Sequence, residues 1–277
     1  MQTLNEIRAH LARHNLAPKK SLGQNFLIDQ NLLNKLVDAS GVQHDDLVLE
    51  VGPGTGTLTE TLLERGCRVV AVELDTGLAG LLRDTIGERV PERFTLIEGD
   101  CLERKTRINE KAAALLGDQP FRLVANLPYQ AASPLLITLA VDHPNCLGMF
   151  VTVQKEVGQR LRAQPGTKQF GELAILTQAV FEVSRIADLP GSCFWPPPKV
   201  ESQIVAMRRL DSPRVADIAA TRALCDLLFA HRRKQIGKTL GRDAELPVGI
   251  DPSARPEQLS IEQFGDLAAW HASRDPR

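Results

Sequence analysis

The segment Glu50-Val51-Gly52-Pro53-Gly54-Thr55-Gly56 constrains this chain more than any other. It continues the apolar run Leu47-Val48-Leu49, which is long enough for a buried strand and too short for a buried helix. Residues 57–65 then take up a helical pattern. Glycines at such a strand-to-helix turn let the chain reverse tightly, and they let a ligand approach the main chain without meeting a Cβ.

The rest of the chain repeats this unit. Val69-Val70-Ala71-Val72, Phe94-Thr95-Leu96-Ile97, residues 121–125 and Met149-Phe150-Val151-Thr152-Val153 read as strands. Residues 78–86 and the stretch after Ser133-Pro134 read as helices. Alternation of this kind predicts a parallel sheet covered by helices on both faces. Segments 180–186 and 204–207 are expected to add edge strands, antiparallel to the rest. Ahead of the sheet, Leu4, Ile7 and Leu11 have helical spacing up to the break at Pro18, and Leu32, Leu33, Leu36 and Val37 mark a second helix opening near Asp29. Beyond about Leu210, helical patterns at 214–229, 232–240 and 260–271 replace strands. We therefore expect an α/β, Rossmann-like domain over 1–210 and a small all-α domain over 211–277.

The glycine loop departs from the dinucleotide pattern Gly-x-Gly-x-x-Gly. Its third glycine, Gly56, comes one residue early, and Thr57 stands where that pattern has glycine. An acid, Glu50, leads into the loop, which suits a cationic ligand better than a pyrophosphate. A sulfonium with an amino-acid tail is such a ligand. Glu73 ends the second strand, 21 residues after Gly52, where a carboxylate can accept hydrogen bonds from both ribose hydroxyls of a nucleoside cofactor. Asp75 competes for that role. Asp100 follows the third strand and can accept from an adenine amine. All three acids fall at carboxyl ends of strands, where open α/β sheets bind ligands.

Asn126-Leu127-Pro128-Tyr129 follows the fourth strand. The exocyclic nitrogen of adenine is a poor nucleophile because its lone pair is delocalised into the ring. The amide oxygen of Asn126 and a main-chain carbonyl, assigned to Leu127, can accept its two N–H groups and favour a pyramidal nitrogen. Pro128 fixes the local main chain. Tyr129, the one tyrosine of the chain, offers a flat face for an extruded base.

Bulk charge is silent about nucleic acid, because the formal net charge is -1. Phosphate contacts must come from local patches, of which His231-Arg232-Arg233-Lys234, continued by Lys238 and Arg242 without an intervening acid, is the densest. Arg8, Arg13, Lys19 and Lys20 form a second. The five cysteines, Cys67, Cys101, Cys146, Cys193 and Cys225, are scattered and contain no Cys-x-x-Cys pair, which argues against a zinc site or a disulfide framework. No apolar run suits a signal peptide or a membrane span, so a cytoplasmic, membrane-free protein is expected.

Taken in order, these motifs resemble those of the KsgA (RsmA) family of 16S ribosomal RNA adenine dimethyltransferases over nearly the whole chain. Leu22-Gly23-Gln24-Asn25-Phe26-Leu27 resembles that family's N-terminal motif, and the glycine loop, Glu73, Asp100 and Asn126 to Tyr129 match its cofactor and catalytic motifs. Gln154-Lys155-Glu156-Val157 followed by Arg160-Leu161, Phe194-Trp195-Pro196-Pro197-Pro198-Lys199-Val200-Glu201-Ser202 and Phe229 with Arg232-Arg233-Lys234 fit as well. The resemblance implies a class I S-adenosyl-L-methionine methyltransferase sheet with no metal. Asn25, Leu27, Gly52, Gly54, Glu73, Asp100 and Asn126 would bind the cofactor. Asn126, Leu127, Pro128 and Tyr129 would act on the base, with Phe194 facing Tyr129 across it. Arg232, Arg233, Lys234 and Lys238 would contact RNA. The implied reaction dimethylates two adjacent adenosines in a 16S rRNA hairpin of the small ribosomal subunit, by a monomer.

Three other readings share parts of the pattern. The antibiotic-resistance type of 23S rRNA methyltransferase has the same N-terminal, glycine-loop and Asn-x-Pro-Tyr elements, but Gln154-Lys155-Glu156 and Arg232-Arg233-Lys234 fit it less well. A non-catalytic RNA-binding assembly or transcription factor on this fold has no need of Glu73, Asp100, Asn126 and Tyr129 together. A dinucleotide oxidoreductase is disfavoured by the glycine spacing.

Overall fold

The computed structural model describes residues 2–104, 106–241 and 244–274. Seven strands form the central sheet: β1 Leu47–Val51, β2 Arg68–Glu73, β3 Phe94–Glu98, β4 Phe121–Asn126, β5 Cys146–Gln154, β6 Phe181–Leu189 and β7 Ser202–Arg209. Their order across the sheet is β3-β2-β1-β4-β5-β7-β6. β1 to β5 pair in parallel. β7 lies between β5 and β6 and runs antiparallel to both. The expected pair of antiparallel edge strands is thus one inserted antiparallel strand and one edge strand.

Eleven helices accompany the sheet among the described residues: α1 Leu4–Arg13, α2 Gln30–Ser40, α3 Thr57–Glu64, α4 Thr76–Leu82, α5 Glu110–Leu116, α6 Tyr129–Asp142, α7 Lys155–Leu161, α8 Glu172–Gln178, α9 Ile218–Phe229, α10 Ile236–Leu240 and α11 Ile261–Arg274. Local chemistry sets their ends. Thr3 caps α1 in a reciprocal box with Glu6, Asp29 caps α2 through the Leu32 N–H, and Gly41 closes α2 with a left-handed φ of 63°.

The pleat distributes the core between two faces. Leu47, Leu49, Val51, Val70, Val72, Leu123 and Ala125 bury on one side with α5, α6 and α8. Val48, Val69, Ala71 and Val124 bury on the other with Leu33, Leu36 and Val37 of α2 and Leu58 and Leu62 of α3. Strands covered on both faces are near-continuously apolar, which is why β1, β2 and β4 are legible as runs rather than alternations. The first apolar cluster continues into the C-terminal helices through Leu224, Leu228, Phe264 and Leu267. Phe229 of α9 stacks on Phe264 of α11 with ring centroids 6.0 Å apart.

Two helix starts differ from the sequence pattern. α6 begins at Tyr129, ahead of Pro134, which lies inside it. The carbonyl deprived of its donor by that proline belongs to Gln130, an exposed residue, so the helix tolerates it. The stretch predicted as helix from 232 is a turn up to Gln235, and α10 opens only at Ile236.

Candidate active site

Connections leave β1 toward β2 and β3, and leave β4 toward β5, on the other side of the sheet. The crevice between the carboxyl ends of β1 and β4 is where such a sheet binds ligands. A cleft of about 510 Å³ opens there, within the range of small-molecule sites. It is lined by Asn25, Leu27, Gly52, Gly54, Glu73, Asp100 and Asn126 to Tyr129.

The glycine loop forms the cleft floor because its main chain is approached from two sides. A Cβ on Gly52, which has φ +70°, would stand 2.9 Å from Cγ of Pro128. One on Gly54, with φ +64°, would stand 2.9 Å from Cε1 of Phe26. The two glycines therefore bring the cofactor loop against the Asn-Leu-Pro-Tyr turn and the N-terminal arm, as well as supplying the left-handed conformation.

Glu73 is 5% exposed. Its Oε2 accepts the Gly54 N–H at 3.1 Å and its Oε1 accepts the Asp75 N–H at 2.9 Å. Burial raises its pKa, and these two N–H groups oppose the rise. Each oxygen keeps acceptor capacity for a hydroxyl. Asp75 is engaged elsewhere. It accepts from Lys19 Nζ at 3.0 Å and Gln24 Nε2 at 2.8 Å, and it caps α4 through the Gly77 N–H at 2.9 Å. Burial pushes its carboxyl up, but those donors outweigh it and hold the group below its ordinary range. Of the two acids that compete for the ribose in the sequence, Glu73 lines the cleft and Asp75 anchors the N-terminal arm. Asp100 is exposed at the cleft edge, with Oδ1 accepting the Leu102 N–H at 3.0 Å.

Glu50 lies beneath the loop, 1% exposed, and accepts from Thr59 Oγ1 at 2.7 Å. Burial, partly offset by Thr59, pushes its carboxyl to about 8. The folded chain then holds a proton that the unfolded chain releases near the ordinary 4.5. The stability this gives is complete below that lower value and is lost as pH climbs toward 8. Glu50→Gln removes the loss and keeps an acceptor for Thr59. We expect the variant to gain stability relative to the native chain between about pH 5 and pH 8, at up to roughly 1.4 kcal/mol per pH unit. Urea denaturation at the two pH values checks this, and a constant difference would refute it.

Asn126 ends β4, half-buried, with both ends of its amide engaged. Nδ2 donates to the Asn25 main-chain oxygen at 3.0 Å, and Oδ1 accepts from the Thr152 hydroxyl. Asn25 turns its own Nδ2 to the Gly23 carbonyl at 2.8 Å. Tyr129 is half-buried, and its hydroxyl lies 2.8 Å from Ser202 Oγ. Burial raises the phenol pKa against the pull of Ser202, so the ring stays neutral. A polar amide, a proline-fixed turn and an aromatic face thus meet at one wall of the cleft, opposite the acids.

A sequence profile described as "Ribosomal RNA adenine dimethylase" matches residues 15–273. The chain belongs to the ribosomal RNA adenine dimethylase family. A protein of Streptomyces avermitilis named ribosomal RNA small subunit methyltransferase A is 38% identical, over 95% of this chain and 91% of its own length. One of the same name from Phenylobacterium zucineum is 37% identical, over 99% and 96%. Among solved structures, a dimethyladenosine transferase from Plasmodium falciparum superposes with a TM-score of 0.70 at 22% identity, over 90% of this chain and 98% of that one. The 23S rRNA methyltransferase ErmE follows at 0.64 and 23%, over 88% and 98%. These two show that the chain has the fold of this group of methyltransferases.

Two residues are placed otherwise than the sequence suggests. Phe194, expected across the base from Tyr129, is 3% exposed. It pairs with Leu27 in a two-residue antiparallel ladder and packs in the core with Leu189 and Ile204, so its ring is not offered to the cleft. Its neighbour Trp195 is half-buried, stacked on Phe26 at 6.4 Å, with the Arg8 guanidinium 5.1 Å above its ring. Arg232, expected on an RNA-facing helix, donates to the Lys168 carbonyl at 2.7 Å and the Phe170 carbonyl at 3.2 Å, and stands 3.7 Å from Glu257. It ties α9 to the loop before α8. Arg233, Lys234 and Lys238 are exposed. Arg242 lies outside the described residues.

Four residues to which the sequence reading gave no role in the cleft also shape the site. Lys19 and Gln24 fasten the N-terminal arm to Asp75, and Thr152 and Ser202 hold Asn126 and Tyr129. A hydroxyl inside an apolar strand carries no periodic signal. The five cysteines are buried and free, and no group of three or more metal-ligating side chains occurs among the described residues.

Proposed function

We propose that this chain transfers methyl groups from S-adenosyl-L-methionine to the N6 amines of two adjacent adenosines in a hairpin of small-subunit ribosomal RNA, leaving dimethyladenosines. The observation that carries the reading is the meeting of Asn126 and Tyr129 with Gly52 and Glu73 in one cleft at the β1–β4 crevice. The names of the Streptomyces and Phenylobacterium relatives support the small subunit as substrate.

The residues present fit that cofactor. Apart from Glu50, whose carboxyl burial pushes to about 8, the cleft is lined by the acids Glu73, Asp100 and Glu103 against a single described basic residue, Arg104, a balance that favours a sulfonium and opposes a pyrophosphate. Glu73 has acceptor capacity for ribose hydroxyls, and Gly52 and Gly54 open the main chain to close approach. When bound, the cofactor supplies an electrophilic methyl carbon. Asn126 Oδ1 and the Leu127 carbonyl accept the two N–H groups of the amine, Tyr129 stacks beneath the ring, and Pro128 keeps the carbonyl aimed. Once methylated, the nitrogen is acidic enough to lose its proton without a dedicated base, so positioning supplies most of the acceleration. The base leaves its stack to reach the cleft.

A transfer assay with labelled cofactor on unmethylated small subunits, followed by mapping of the modified bases, tests the reading. Label on two neighbouring adenosines supports it; label elsewhere or none overturns it. The reading places the chain in the cytoplasm as a monomer. Among the described residues no helix is long and apolar enough to cross a membrane.

Arg233, Lys234 and Lys238 are the exposed cations of the C-terminal patch and serve as its phosphate contacts. Arg233→Glu with Lys234→Glu is expected to weaken RNA binding strongly at low salt and little at high salt. Arg232→Ala is expected instead to cost about 1 kcal/mol of stability through its lost carbonyl contacts, with RNA affinity nearly unchanged. Filter binding at two salt concentrations and urea melts separate the two effects. An equal loss of RNA affinity in both would place Arg232 in the interface.

A further inference from the structure

The amide of an asparagine can present either oxygen or nitrogen to a cleft, and the two ends differ little in shape. For Asn126 only one orientation serves the reaction. Oxygen toward the adenine amine accepts a proton; nitrogen there would meet N–H with N–H and repel it. The side chain therefore needs something that fixes its flip.

Two groups do so. The Asn25 main-chain oxygen can only accept, and it faces Nδ2 at 3.0 Å. The Thr152 hydroxyl donates to Oδ1. Thr152 is directly opposite Asn126 in the parallel β4–β5 pair, and it is 0% exposed. Water cannot replace it. A flipped amide would turn Oδ1 on the half-buried Asn25 oxygen, acceptor against acceptor, whereas the Thr152 hydroxyl can donate or accept, so the Asn25 carbonyl selects the orientation and Thr152 holds the amide oxygen in it. The amide oxygen keeps a second lone pair, which is the one available to the amine.

We propose that Thr152 is a positioning residue for methyl transfer: its buried hydroxyl donates to Oδ1 of Asn126 and holds the amide in the orientation that the Asn25 carbonyl selects, with oxygen toward the substrate amine. This rests on the adenine-methylation reading above. Thr152 touches neither substrate nor cofactor; among the residues lining the cleft it is absent, and it acts through Asn126. Because Asn25 belongs to the arm that Lys19 and Gln24 fasten to Asp75, the same lock links the amide to the cofactor side of the cleft.

Thr152→Val replaces the hydroxyl by a methyl of the same shape in a strand that favours β-branched residues, and Thr152→Ala removes the hydroxyl and the methyl together. Thr152→Ser keeps the donor and loses the methyl. Each is assayed for kcat and KM on unmethylated small subunits, for cofactor affinity by calorimetry, and for melting temperature. The expected result is a kcat roughly 3- to 10-fold lower in the valine and alanine variants, the yield of one hydrogen bond. KM and cofactor affinity should stay within about twofold. The serine variant should return to within about twofold of the native kcat. Native kcat in both the valine and alanine variants, or a serine variant as slow as valine, would overturn the assignment, the latter by showing that packing is what matters. An inactive native protein would instead sink the methylation reading itself, so the two failures are distinct.

Discussion

Replacing Asn126 with alanine is expected to lower methyl transfer roughly 100- to 1,000-fold, the range found when one preorganised polar group at a reacting centre is removed. The physical reason is that the acceptor works on a nitrogen whose geometry must change. Holding both N–H groups out of the ring plane favours the pyramidal, nucleophilic form, and one remaining acceptor allows the amine to relax back into conjugation. Cofactor affinity should fall less than tenfold. It falls at all because Asn126 Nδ2 is the donor for the Asn25 carbonyl, and the alanine variant leaves that oxygen on the cofactor arm without its partner. Single-turnover rates and calorimetry on the same preparation check both halves. A rate within tenfold of native would remove Asn126 from the chemistry. A cofactor loss as large as the rate loss would make it a binding residue.

The parts of this molecule that sequence makes legible are those where local composition and long-range structure agree. Buried parallel strands are apolar runs, so β1, β2 and β4 stand out, and a glycine loop at the end of one of them marks the crevice before any coordinates exist. Glu73 and Asp100 are legible by position, as acids at strand ends. What sequence does not carry is pairing at a distance. Nothing in residues 180–209 says that β7 inserts between β5 and β6, because the alternation is the same on either side of β5.

Side-chain roles that depend on a partner far along the chain are hidden for the same reason. Asp75 and Glu73 are indistinguishable until Lys19 and Gln24, more than fifty residues earlier, are seen to occupy one of them. Arg232 sits in a basic cluster that implies solvent and phosphate, yet its guanidinium reaches the carbonyls of Lys168 and Phe170. Phe194 shares a motif with a proline run, and the two-residue ladder with Leu27 takes its ring into the core. The start of α6 at Tyr129 is masked by Pro134, which usually marks a boundary and here lies within the helix.

Glu73→Gln is expected to weaken S-adenosyl-L-methionine binding roughly 100-fold. The carboxylate accepts the main-chain N–H groups of Gly54 and Asp75 on its two oxygens, one on each. A glutamine amide has only one accepting atom, so its NH2 must face one of those donors, and charge assistance is lost at the ribose as well. Hydrogen bonds to a charged group contribute about 1.5–3 kcal/mol each, and about 1.4 kcal/mol is a factor of ten. Two explanations for the loss are separable. If Glu73 holds the ribose, the demethylated product, which has the same ribose and no sulfonium charge, must lose as much affinity as the cofactor. If Glu73 acts through charge alone, the product is nearly unaffected. The pH dependence has a definite sign under the ribose assignment. Burial raises the Glu73 pKa, so native affinity for both ligands falls on acidification already above the ordinary 4.5, and the glutamine variant shows no such fall. Calorimetric titration of native and variant protein with both ligands across that range decides it. Selective loss of the methylated ligand would move the ribose contact away from Glu73.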